Sequence, residues 1–287
     1  MGLLRTIRLN KLARQLKCNA AVLENLKSDH GWPENALQGG SMEICATTLS
    51  LEDFSSFTCE RLAPHEFIGE LGRLVTIAHG VLKAAPAIVV GCSEQCIQAV
   101  FSPQFSGTSY FDTAVQTGQD LYNRLNSAMA SETVPLARPR ISVAKGRVIA
   151  GIIRFSGSVS YSFTGRAMVL SRLLASEHLR YGEPILVDNE AGRNMDMARP
   201  LDLYRLPGFE EVHTLYAPPD PARCSSEMID LFGSGLAALY LDNDPEKAAG
   251  IFKKCIEADD HYPAAEEMLA KCGQQADRVK MRAFRAL

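Results

Sequence analysis

Side chains able to do chemistry are scattered along this chain, and few stand at a spacing that chemistry needs. Among its 8 cysteines, Cys92 and Cys96 are the closest pair. Their spacing is not C-x-x-C, and no histidine lies at ligand distance in sequence, so a zinc site is not expected. Ser158 and Ser160 lie in a Gly/Ser turn without a partnering His or Asp. No G-x-S-x-G follows a strand, so a serine hydrolase is not supported. Gly151 and Gly157 do not form a dinucleotide fingerprint. His65-Glu66 follows Pro64 at a helix start, where an acid suits the helix dipole. His79 falls among apolar neighbours on that helix and reads as structural.

The chemically pointed signal is at the start of the chain. Met1-Gly2-Leu3-Leu4-Arg5-Thr6 fits M-G-x-x-x-[ST], the pattern for myristoylation of Gly2. Arg5, Arg8, Lys11, Arg14 and Lys17 follow, with no acid before Glu24. One acyl chain holds a membrane only marginally, and a polybasic patch supplies the second signal. A solvated basic face or a transit peptide are the competing readings. Cys18 is a weak candidate for palmitate. Residues 2 to about 28 form an amphipathic helix, in which Leu9, Leu12, Leu16, Asn19, Leu23 and Leu26 recur at alternating spacings of three and four. That seam either packs on its own domain or dimerises.

The bulk composition is ordinary. The 287 residues, 46% hydrophobic and 22% charged, allow one large domain and something smaller. A formal charge of −3 argues against nucleic acid as a partner. No apolar run is long enough to cross a bilayer. The arginines and lysines after Leu4 interrupt any secretory h-region. Reduced cysteines and a cytoplasmic location, peripheral on the cytoplasmic face of a membrane, are expected.

The periodicity then gives an order of elements. Trp32 to Gly40 is a linker. Met42–Ser50 is a strand, and Pro64–Lys83 a helix with Phe67, Leu71, Leu74, Ile77, Ala78 and Val81 on one face. Pro86–Gly91 and Cys96–Phe101 are strands around Ser93-Glu94-Gln95. Tyr110–Met129 is a helix with Ala114, Leu121, Leu125 and Met129 inward. Ile141–Val143 and Val148–Ile153 read as a hairpin about Lys145-Gly146. A helix at Gly165–Ser176 and strands at Ile185–Val187, Leu201–Leu206 and Val212–Tyr216 follow. The order βαββαβ predicts an α+β fold with a ferredoxin-like sheet. Past the proline linker 217–221, helices are expected from Ser226, from Pro245 with Asp244 as cap, and from Pro263 to about Gly273. Leu239-Tyr240, Ala248, Phe252 and Pro263 are spaced like one tetratricopeptide-type repeat. The predicted domains are 1–40, 41–217 and 218–287.

Gly146-Arg147-Val148-Ile149-Ala150-Gly151, Tyr161-Ser162-Phe163-Thr164-Gly165 with Arg172-Leu173-Leu174, and Ile185-Leu186-Val187 resemble the core of class III nucleotide cyclase domains. That resemblance implies a shared active site, half from each of two paired domains. Two carboxylates there hold two metals, one at the end of a first strand that leads into Asp-x-x-G-F-T, the other in the next hairpin. An Asn and an Arg on a later helix stabilise the transferring phosphate. The first strand puts one metal position on Thr48, the match of Ala99-Val100-Phe101 to the family's A-V-F puts the other on Gln95, and the block from Tyr161 puts the Asn on Val169 and the Arg on Leu173; the base-recognising Lys has no counterpart. Leu51-Glu52-Asp53 then replaces Gly-Phe-Thr, and bringing Glu52 or Asp53 to the metal needs a shift of four or five residues.

The expectation that follows is a cyclase-homology domain without catalytic, metal or cofactor residues, not an enzyme. It would act in cyclic-nucleotide signalling by contact with a protein partner, an active cyclase or a second copy, and would bind a membrane surface through Gly2. An active or half-site cyclase and a non-catalytic nucleotide sensor are the alternatives.

Overall fold

The computed structural model describes residues 39–51, 62–92, 96–130, 139–155, 158–176, 181–204, 212–220, 224–258 and 263–284. Gly2 and the stretch expected as an N-terminal helix, Gln95 and the pair Glu52-Asp53 lie outside them. The chain divides into two compact units, one ending at Ser176 and one beginning at Glu177.

The first unit runs β1 (Gly40–Ser50), α1 (Pro64–Ala84), β2 (Ile88–Cys92), β3 (Cys96–Phe101), α2 (Pro103–Ser106), α3 (Tyr110–Ala130), β4 (Arg140–Phe155), β5 (Ser158–Thr164) and α4 (Arg166–Ser176). Its strands are ordered β2-β3-β1-β4, with β5 on the far side of β4, and these neighbours pair antiparallel. That is the predicted ferredoxin-like arrangement. Pro64 opens α1, where Ala63 N–H donates to the Glu66 carboxylate at 3.0 Å. The acid of His65-Glu66 is thus a cap, as its position suggested. The inward stripe of α1 is Leu71, Leu74, Ala78, Val81 and Leu82, whereas His79 is exposed rather than set in the core. In α3, Ala114, Leu121, Leu125 and Met129 are all buried.

One expectation fails. Lys145-Gly146 is no hairpin: β4 is a single strand whose register against β1 runs unbroken from Arg140↔Ser50 to Ala150↔Gly40. Gly146 stays in that ladder opposite Ile44, because a continuous partner strand outweighs a local turn signal. The hairpin lies one strand later, where Phe155 pairs with Ser158.

The two faces of the sheet are covered differently. Thr48, Gln98 and Ser142 share one face by register and meet α4 through Ser171. Ile44, Ala46, Val100, Val148, Ala150, Phe163, Ala167 and Met168 form the apolar core of that layer. The opposite face is marked by Glu43, whose carboxylate accepts from the Tyr110 hydroxyl of α3 at 2.6 Å. α3 lies on that side.

The second unit contains β6 (Ile185–Val187), α5 (Asn189–Gly192), β7 (Arg199–Tyr204), β8 (His213–Ala217), α6 (Ser226–Tyr240), α7 (Pro245–Ala258) and α8 (Pro263–Phe284). β8 pairs antiparallel with both β6 and β7. Asp188 caps α5 by accepting from Ala191 N–H at 3.0 Å. Asp244 caps α7 by accepting from Lys247 N–H at 2.9 Å, with Pro245 in the first turn. α6 packs on α7 and α7 on α8, and Gly235 leaves room for the Phe252 ring, which a Cβ there would meet at 2.7 Å. α8 does not stop at Gly273. Gln274, Gln275 and Ala276 are good helix formers, and one interior Gly costs only about 1 kcal/mol.

Candidate functional site

The first strand brings Thr48 to the centre of the first unit, but not to a cleft. Thr48 is fully buried, and its hydroxyl donates to Ser171 Oγ of α4 at 2.8 Å. Gln98 Nε2, from β3, reaches Thr48 Oγ1 at 3.1 Å, Ser171 Oγ at 3.0 Å and the Met168 carbonyl at 2.9 Å. Ser142 Oγ donates to the Ser171 carbonyl. The three hydroxyls of this cluster and the Gln98 amide nitrogen all have partners, as burial demands. All of them are neutral, so no carboxylate is available to a divalent ion. Among the described residues no cluster of His, Cys, Asp or Glu could hold a metal. The Thr48 cluster therefore offers no ligand to the two metals that the resemblance implies.

The outer side of α4 carries the other two predicted positions. Val169 is exposed at 41%, and Leu173 is half-buried. Neither offers a hydrogen bond or charge from its side chain. Arg166 and Arg172 flank them and are exposed; Arg172 Nε donates back to the Met168 carbonyl at 3.3 Å.

The strand ends define where carboxylates leave the sheet. Ser50, the last residue of β1, pairs with Cys96, the first of β3. In sequence, Glu52-Asp53 follow that end of β1 and Glu94-Gln95 directly precede Cys96. Thr48 lies two residues inside that edge and faces α4, so its lack of charge says nothing about the edge. The alignment on Thr48 counted from the start of the strand. Counted from the motif, Asp53-Phe54-Ser55-Ser56-Phe57-Thr58 fits Asp-x-x-G-F-T with Ser in place of Gly. Phe57-Thr58 was the signal that the first alignment passed over.

Among the described residues, the second unit holds an ion pair with both side chains buried. Arg199 makes a two-pronged pair with Glu183, Nη1 to Oε1 at 2.8 Å and Nη2 to Oε2 at 2.7 Å, and both side chains are buried. Asp202 is fully buried. It accepts from the Tyr181 hydroxyl at 2.7 Å, the Tyr240 hydroxyl at 2.6 Å, its neighbour's Leu203 N–H at 2.8 Å and Lys271 Nζ. Burial, followed by the Asp202 charge, pushes the Tyr240 hydroxyl far above the ordinary tyrosine range. Cys255 is pushed up to about 11, mainly by burial, so it is a thiol and not a nucleophile at neutral pH.

No protein-family model matches the chain, and no curated protein matches it. Solved structures do. The adenylyl cyclase CyaB from P. aeruginosa is 17% identical with a TM-score of 0.57, the match covering 64% of this chain and 97% of that one. A bacterial light-regulated adenylyl cyclase is 18% identical with a TM-score of 0.53, covering 62% and 91%. The guanylate cyclase domain of RhGC from Catenaria anguillulae, solved with GTP, is 14% identical with a TM-score of 0.50, covering 62% and 97%. The chain therefore has the fold of nucleotide cyclase catalytic domains. The expectation that it is not an enzyme is overturned: the solved structures that share its fold are cyclases, and the substitution at Thr48 on which that expectation leaned is inside the core. No described helix is long and apolar enough to cross a membrane.

Proposed function

We propose that this chain is a nucleotide-cyclase-like subunit of cyclic-nucleotide signalling that works by pairing with a second domain of the same fold, a cyclase or another copy of itself. The observation that carries the reading is the unequal state of the two halves of the site. Ser50 and Cys96 pair at adjacent strand ends, which Glu52-Asp53 follow and Glu94 precedes in sequence, whereas α4 presents Val169 and Leu173 where the resemblance calls for an Asn and an Arg. A shared site of this kind needs its missing donors from a partner.

The reading extends to place. Gly2 and the basic residues after it suit an acylated anchor on the cytoplasmic face of a membrane. The three C-terminal helices, spaced like one tetratricopeptide repeat, offer a surface for a protein partner. The test is to purify the full chain from native cells, measure its intact mass and identify what accompanies it. A myristoyl group and a cyclase-fold partner, or a stable homodimer, are expected. A monomer with only unrelated company would sink the pairing.

A second reading, cyclisation by this chain itself, is favoured by Asp53-x-x-Ser56-Phe57-Thr58. Pure protein with manganese and ATP or GTP tests it: product that disappears in Asp53→Asn supports it, and product absent from the wild type, alone or mixed with its partner, removes it.

A further inference from the structure

Beyond that function, β4 carries an uncovered surface. From Ile141 to Ala144 it is buried on both faces; from Lys145 onward burial alternates. Val148 and Ala150 stay in the core layer under α4, while Ile149 is exposed at 67% and Ile153 at 51%. The odd-numbered residues belong to the face that α3 covers at Glu43 and Lys145 and leaves open beyond. By register Ser41 and Thr164, both exposed, flank Ile149 on this face. The open strip is thus Ile149, Gly151 and Ile153, with the exposed Arg147 at the end nearer α3 and small polar residues along its sides.

The chain itself enters over this strip. Gly39 turns out of the ladder with φ 80°, and its Cα lies 3.0 Å from where a Cβ on Gly151 would stand. That Cβ would point to the side of Ile149 and Ile153. The 38 residues before Gly39, which include the leucine-bearing stretch, are therefore tethered at the edge of this open face.

We infer that the segment Leu9–Leu26 docks its leucine seam on the open face of β4 and β5 in its own chain. The dimensions agree. Eighteen helical residues span about 27 Å at about 1.5 Å each. The open stretch from Arg147 to Ile153 spans about 24 Å at about 3.4 Å per residue. The residues between Leu26 and Gly39 reach up to about 40 Å, enough to fold the helix back. In heptad terms Leu9, Leu16 and Leu23 are a positions and Leu12 and Leu26 d positions; Lys11, Arg14 and Lys17 fall at c, f and b. The docked seam leaves those cations outward, where a lipid surface can meet them.

The test uses the full chain with a benzophenone amino acid at Ile153, an exposed site where it does not threaten the core. Irradiation should link it to residues 9–26 of the same molecule. In a mixture of light and heavy-isotope protein the link stays within one isotope, and a tenfold dilution leaves its yield unchanged. Links only between molecules, falling with dilution, would mean that a second copy covers the face and would overturn the inference; so would links elsewhere or none. The independent variant is Leu16→Asp with Leu23→Asp in the full chain. It should raise amide exchange at 149–153 and 161–164 by about tenfold or more as the cover is lost; unchanged exchange sinks the inference. Neither readout involves nucleotide or partner, so this inference and the proposed function fail separately.

Discussion

The two units bury polar groups in opposite ways. In the first, Thr48, Gln98, Ser142 and Ser171 join sheet to helix with neutral hydrogen bonds, to which the buried Arg140 adds one donor to the Ser176 carbonyl at 3.3 Å but no ion pair with that helix. In the second, Asp202 holds β7 to α6 through Tyr240 and to α8 through Lys271, and Glu183 is locked to Arg199. A neutral bond lost in a core costs one hydrogen bond or one desolvated dipole; a charge stripped of its partner costs far more. The helix that presents Val169 and Leu173 therefore rests on replaceable bonds, while the C-terminal helices are tied to their strand by contacts that tolerate little change.

The sharpest way to break this contrast is Arg199→Ala. It leaves the Glu183 carboxylate buried and unpaired, and urea unfolding should show a loss of about 3–5 kcal/mol. Replacing both, Arg199→Met with Glu183→Leu, removes both charges and should recover most of that loss. If the single and double variants unfold alike, burial of charge is not what distinguishes the second unit. Next comes Asp202→Asn. One oxygen becomes a donor facing groups that also donate, and Lys271 loses its counter-charge, for about 2–3 kcal/mol by the same measurement.

Gln98→Leu probes the neutral side. Thr48 and Ser171 keep each other, and the Met168 carbonyl keeps Ser171 Oγ and Arg172. The loss should be about 1 kcal/mol. A loss as large as that of Arg199→Ala would erase the difference between the units.

The sequence made the repeating parts of the fold legible and left its polar joints hidden. β3 and β6 fall on the predicted residues, and α1 and α3 within one residue, because alternation and the helical period are local signals. The Lys145-Gly146 turn was misread for the same locality: no short window shows that β1 lies alongside all of β4. Thr48 was placed at a metal because the strand was counted from its start, while its burial depends on Ser171, 123 residues away. The Asp202 cluster could not be read at all, since its partners Tyr181, Tyr240 and Lys271 stand 21, 38 and 69 residues off. Such groups have no common period.

The smallest effect sharpens the comparison most. Glu43 also sits in a charged cluster, bonded to Tyr110 at 2.6 Å and paired with Lys145 at 3.2 Å, but its side chain is 42% exposed. The Tyr110 hydroxyl first, with Lys145 helping against the desolvation, holds its carboxyl below the usual range. A depressed carboxyl contributes stability that is present above the unfolded-state pKa and lost as pH falls through the folded one. With water screening the pair, Lys145→Ala should lose under about 1 kcal/mol at neutral pH. Its urea midpoint should converge with that of the wild type on acidification through the depressed folded-state pKa, where Glu43 protonates in both. A loss near that of Arg199→Ala would mean that charge, exposed or not, governs this fold; a small, acid-sensitive loss ties the high cost of the second unit to the exclusion of water around its ions.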